Sequence, residues 1–177
     1  MQHPDHAQKI KQIRKAIAEK PDGILESLAA EFAVPVQTVL ECVPGDGVVR
    51  IDGSRFVDVL TDIAEWGDIT FIVHTKDAVV EVCGPMPTGR IGHGMYNLQG
   101  GSSGLSGHLR PDRCASIFLV RRPFMGMETM SVQFFNAEGE TIFKIYVGRD
   151  EARRLKAGQI ERFNRLATLF AETAGNA

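Results

Sequence analysis

Apolar side chains recur at helical spacing through the first third of the chain and at strand spacing after residue 68, so two kinds of architecture follow one another. The pattern predicts a helix over 7–20, with Ile10, Ile13, Ala16 and Ile17 on one stripe. Pro21-Asp22-Gly23 breaks it, and Asp22 is placed to cap a second helix carrying Ile24, Leu25, Leu28, Ala29 and Phe32. A short third helix follows Pro35, with Val36, Val39 and Leu40 inward. The run LESLAAEFAVPVQTVLECV has the rhythm of a helix-turn-helix, but its last helix lacks Lys and Arg. It reads as structural, and DNA binding is not expected. Pro44-Gly45-Asp46-Gly47 is a turn, and another helix runs from Gly53 to about Trp66 with Phe56, Val59, Leu60 and Ile63 inward.

The period then changes. ITFIVHT (69–75), AVVEVC (78–83), SIFLVRR (116–122), MSVQFFN (130–136) and TIFKIYV (141–147) are rich in β-branched and aromatic residues and predict strands. Asn136-Ala137-Glu138-Gly139-Glu140 joins two of them as a hairpin, with Gly139 at a positive-φ position. Short connections between successive strands favour an antiparallel meander. A final helix, about 150–173, turns Leu155, Phe163, Leu166 and Phe170 inward. The fold class is therefore α+β: an N-terminal helical segment (1–52), then an antiparallel-sheet domain with a C-terminal helix (53–177), the two forming one compact unit.

Between the strands lies GPMPTGRIGHGMYNLQGGSSGLSGHLR (84–110), long and glycine-rich. Embedded short strands at Met95–Leu98 or Leu105–Leu109 would shorten its irregular part. It has no GxxxxGK[ST] run and no strand-GxGxxG-helix context, so it is not a phosphate loop. Its glycines suit a backbone that approaches a flat ligand closely.

Charge narrows the function classes. Twenty Lys and Arg against 22 Asp and Glu give −2, without the basic excess of a nucleic-acid binder. The charged N-terminus has no apolar core of a secretory signal, and no run of about 18 apolar residues exists to cross a membrane. Cys42, Cys83 and Cys114 form no CxxC pair, which favours reduced thiols in a cytoplasmic protein, packed as small buried hydrophobes.

Few residues are left to carry chemistry. His3 and His6 belong to a polar tail, which leaves His74 near a strand end and His93 and His108 in the glycine-rich segment. Imidazole and the tyrosinate of a residue such as Tyr96 are both good axial ligands for haem iron, although a histidine is more often a structural hydrogen-bonding residue. Gly104-Leu105-Ser106-Gly107-His108 lacks the spacing and following helix of a nucleophile elbow, and no HExxH or acidic metal motif occurs. Arg90, Arg110, Arg113, Arg121 and Arg122 flank the segment, with geometry suited to carboxylates such as haem propionates. FMGMETM (124–130) supplies soft side chains for core, interface or macrocycle.

The ordered series EWGDITFIVHTKDAVVEVCGPMPTGRIGHGMYNL, GLSGHL, FMGMETMSVQFFN and IFKIYVGRD resembles the HutX/HuvX/ChuX family of cytosolic haem-utilisation carriers over about residues 20–172. The family is also similar to one half of the longer HemS-type haem proteins. The resemblance implies an α+β fold whose sheets close together in a homodimer, and haem, of b type, bound as cargo. It implies storage, trafficking and delivery to a downstream haem-handling protein in the cytoplasm, without nucleic-acid partner or membrane insertion. A haem-degrading or haem-reducing enzyme using the same site is the alternative; enzyme activity is not expected. The family's histidines carry over onto His74 of IVHT and His108 of LSGHL as iron ligands, with Tyr96 of HGMYN as the tyrosine alternative. His93, Arg90 and Arg122 complete the expected binding set.

Overall fold

The computed structural model describes residues 6–100 and 104–174. His3 of the expected polar tail lies outside them, and His6 is exposed. Three helices come first: α1 (His6–Glu19), α2 (Leu25–Phe32) and α3 (Val36–Leu40). Strand β1 (Val48–Asp52) leads through a 3₁₀ turn into α4 (Phe56–Ile63), followed by β2 (Asp68–His74) and β3 (Val79–Pro85). Three short strands, β4 (Gly89–Gly92), β5 (Met95–Leu98) and β6 (Gly107–Leu109), precede the long β7 (Ser116–Phe124), β8 (Met127–Phe135) and β9 (Thr141–Tyr146). Helix α5 (Ala157–Ala174) ends the described chain.

The strands form a six-stranded sheet in the order β1-β7-β8-β9-β2-β3 and a three-stranded sheet β4-β5-β6. Every pairing is antiparallel. The expected α+β class with a large antiparallel sheet and a C-terminal helix holds. Within the large sheet the meander is limited to β7-β8-β9, because β2 returns to pair with β9 and β1 takes the far edge beside β7.

Strand β7 is buried on both faces, which explains its nearly continuous apolar run. Ile117 and Leu119 point into a core shared with α4, α5 and the small sheet, while Phe118 and Val120 join Ile13, Ile17, Leu25, Val39 and Leu40 of α1–α3. The first core is aromatic. Phe143 stacks on Phe134 at 4.3 Å and on Phe71 at 5.1 Å, and Phe56 meets Phe134 edge-on at 5.4 Å. Gln159 joins α5 to this frame: its Nε2 donates to the carbonyls of Trp66 and Asp68, and its Oε1 accepts from Gly148 N–H.

Three local expectations need correction. Asp22 does not cap α2; its carboxylate accepts from Gly126 N–H at 3.1 Å and its carbonyl from Met125 N–H at 3.2 Å. Met125 and Gly126 both have positive φ, as the centre of a two-residue hairpin turn of this type requires, so Asp22 holds the tip of the β7–β8 hairpin. The last helix starts at Ala157 rather than 150, because Asp150 folds 150–154 into a turn by accepting from Arg154 N–H. Cys42 and Cys114 are buried as expected, but Cys83 is exposed on β3.

The glycine-rich segment is largely a sheet, and Gly89 explains why it needs one of its glycines. A Cβ there would lie 2.2 Å from the Tyr96 ring, which is 2% exposed and meets Phe56 edge-on at 6.1 Å. Gly89 is thus reserved for Tyr96 rather than for a ligand. We expect Gly89→Ala to cost about 1–3 kcal/mol by overpacking. Urea unfolding measures it; a loss within error of zero would show that the Tyr96 ring is not fixed against β4.

Candidate functional site

Alternation along the small sheet decides which residues leave the core. Tyr96 and Leu98 are buried, so Asn97 between them points away. Asn97 pairs in register with Arg90 of β4 and His108 of β6, and these three therefore form one row on the outer face. His108 is exposed, and its Nδ1 lies 2.6 Å from Asn97 Oδ1. Asn97 Nδ2 donates to the carbonyls of Arg90 (3.2 Å), Gly92 (3.1 Å) and Met95 (3.2 Å), closing the β4–β5 turn. His93 sits at the tip of that turn with φ 54°, exposed and followed by Gly94. Gly92 and Met95 are the adjacent pair on this face.

His74 lies elsewhere. It ends β2 on the face of the large sheet opposite Ile69 and Phe71, which are core residues. Helices α1–α3 pack their apolar sides over β1, β7 and β8 of this face, and beside them a cavity of about 540 Å³ opens over β9, β2 and β3. Ile24, Ile72, Val79, Phe124, Met127 and Leu155 give it apolar walls. A second, wider hollow along α2 and α3 shares Ile24, Glu26 and His74 with it. His74 Nδ1 is 3.4 Å from Glu26 Oε1, but that carboxylate is held mainly by Lys144, whose side chain is only 7% exposed. Burial pushes the Glu26 carboxyl up, and the Lys144 charge and hydrogen bond outweigh it, leaving its pKa below the ordinary value. Burial and the Glu26 charge push the Tyr146 phenol up to about 12.

His74 and His108 thus emerge from different sheets on two outer faces of one core, and a single chain does not bring them together. Tyr96 is withdrawn from both faces, its hydroxyl accepting from Gly89 N–H at 3.1 Å. Arg122 lines the cavity, but its Nη2 donates to the carbonyls of Pro21 and Gly23, and burial lowers its pKa. Arg90 is exposed at the other end of the row from His108, with Asn97 between them. Sequence reasoning passed over Glu26, Lys144, Tyr146 and Asn97. A lysine inside the apolar run TIFKIYV was the available signal for the first three, since such a charge needs a buried partner. Among the described residues, no group of three or more His, Cys, Asp or Glu side chains gathers to hold a metal ion.

A family model described as haem utilisation ChuX/HutX matches residues 49–166. The intracellular heme transport protein HutX of Vibrio cholerae serotype O1 is 36% identical over 152 residues, 86% of this chain and 79% of that protein. A crystal structure of a protein from Erwinia carotovora superposes with a TM-score of 0.85 at 41% identity, covering 89% of this chain and 98% of the other. A structure of the heme binding protein ChuX gives 0.79 at 36% identity, covering 88% and 97%. Two longer solved structures, 17% and 16% identical, superpose over 45% and 47% of their length with TM-scores of 0.69 and 0.71, a likeness of fold alone.

The buried Glu26–Lys144 pair generates a prediction. Glu26→Gln leaves the Lys144 charge uncompensated and is expected to cost about 3 kcal/mol, whereas Glu26→Gln with Lys144→Met should recover most of the loss. Because folding lowers the Glu26 pKa, its contribution is full above the ordinary value of 4.5 and fades as pH falls below it. Urea unfolding of the wild type should show that loss, and the double variant should show less of it. A double variant as unstable as the single one would contradict the pairing.

Proposed function

We propose that this chain, which belongs to the haem utilisation ChuX/HutX family, holds haem as cargo inside the cell and passes it to a further haem-handling protein. The observation that carries the site is His108: an exposed imidazole on the outer face of the small sheet, in line with Asn97 and Arg90. Its imidazole is the iron ligand in this reading, and Arg90 takes a propionate, for which its planar donor fork is suited. His74 is the second candidate, with the apolar cavity and Arg122 at its wall. Tyr96 is the third, because ligation would require its ring to leave the core. His93, on the neighbouring turn, borders the first site without lying in its row.

Carriage rather than haem degradation is the reading. The aligned relative is called a transport protein, and one protein ligand on an open face holds iron while leaving release feasible. The cargo is b-type haem, whose vinyl groups need no covalent partner. The helical segment 1–52 and the sheet domain 53–177 act as one unit in this reading, supported by the pairing of β1 with β7 and the packing of α1–α3 on the sheet. A two-fold homodimer follows from the uncovered part of the large sheet and from β3, an edge strand with Val79 and Val80 more than half exposed.

Haemin titrated into the apo-protein should give a saturable Soret shift at about one haem per chain. His108→Ala should change the Soret position or spin state with a melting curve close to the wild type, within about 0.5 kcal/mol. His74→Ala and Tyr96→Phe should have smaller spectral effects. A linear, unsaturable absorbance rise would overturn haem carriage, and unchanged spectra in all three variants would overturn the ligand assignment. Light scattering should give the mass of a dimer at micromolar concentration; a monomer throughout would overturn the assembly.

A further inference from the structure

Asn97 is the residue of the His108 face to which the ligand assignment gives no role. We infer that Asn97 is a positioning residue that fixes the tautomer of His108, so that the proton sits on Nδ1 and the Nε2 lone pair faces outward. The inference rests on His108 as the iron ligand for its purpose, but not for its geometry.

An asparagine side chain has one acceptor oxygen and an NH₂ group that only donates. Three backbone carbonyls, those of Arg90, Gly92 and Met95, surround Nδ2 at 3.1–3.2 Å. Turning the amide over would set Oδ1 against three acceptors, so the orientation follows from the hydrogen bonds around it. Oδ1 must therefore face His108, and at 2.6 Å from Nδ1 it cannot face another acceptor. Nδ1 carries the proton. A neutral imidazole has only one, so Nε2 is bare. An unconstrained histidine prefers the proton on Nε2, the position a metal must occupy here. Asn97 removes that competition before haem arrives. It also does so with a neutral carbonyl: a carboxylate in its place would make the imidazole more basic and hold iron more tightly. A neutral partner suits cargo that has to leave.

The test begins on the full apo chain, labelled with ¹⁵N-histidine and held at a pH where the imidazoles are neutral. His108→Ala identifies the His108 signals. The wild type should show a protonated-type Nδ1 and a bare, pyridine-type Nε2. Asn97→Leu should return the proton to Nε2 and weaken haemin binding about 10–100-fold. A wild-type His108 protonated on Nε2 overturns the inference, as does a folded Asn97→Leu with an unchanged tautomer. If a melting curve shows Asn97→Leu to be unfolded, the wild-type spectrum still decides. Unaltered haem spectra in His108→Ala would instead overturn the ligand reading, whatever the tautomer.

Discussion

The face that His108 occupies depends on the burial of one ring. Tyr96 lies against Gly89 and Phe56 in the aromatic core, and its place decides which side of β5 looks inward. Side chains alternate with a period of two, so a slip of one residue would turn Asn97 and its neighbours toward the core and Tyr96 toward solvent. The register of the three short strands is therefore set on its buried face, by Tyr96 with Leu98 and by the glycine that makes room for the ring. Arg90, Asn97 and His108 come from three strands, yet they share a row because that register holds. The Asn97 amide then closes the β4–β5 turn from the other face. The same tyrosine that serves as a ligand alternative by resemblance thus acts here as the anchor of the histidine's face.

The large sheet meets a different constraint. Its inner face is filled by α4, α5 and the small sheet, while α1–α3 cover only part of its outer face. Beside the apolar patch under those helices the same face carries polar residues that are themselves buried: Lys144, Gln133 and Ser131. Lys144 is nearly enclosed and keeps its charge through Glu26 on α2. That pair sits beside His74 and links the helical segment to the sheet across the mouth of the cavity. Asp22 and Arg122 make further links between the α1–α2 turn and the β7–β8 hairpin. The helices are thereby part of the cavity wall.

Much of this was legible from the sequence where a segment had a strong period of its own. The helical stripes of α1, α2 and α4 and the β-branched runs of β2, β7 and β9 announced themselves, because each buries a face that composition alone defines. Strand β1 did not: VVRID is short and follows a proline-glycine turn, and only pairing with β7 makes it a strand. The small sheet was half visible, since glycines that read as room for a ligand include one that makes room for Tyr96. Among site residues, His74 and His108 could be named from family motifs, but their separation on two sheets is tertiary and left no local signal. Glu26 and Lys144 are 118 positions apart, and no spacing rule joins them. Asn97 lay inside a quoted motif and carried no sign that its amide was already engaged.

The central claim is that haem iron meets this protein at His108 Nε2. The most direct measurement is a crystal structure of the haemin complex with an anomalous map at the iron edge. The account predicts an iron peak at bonding distance from His108 Nε2, with a propionate toward Arg90 and Asn97 still bonded to Nδ1. An iron peak beside His74 in the cavity of the large sheet, with His108 free, would contradict it.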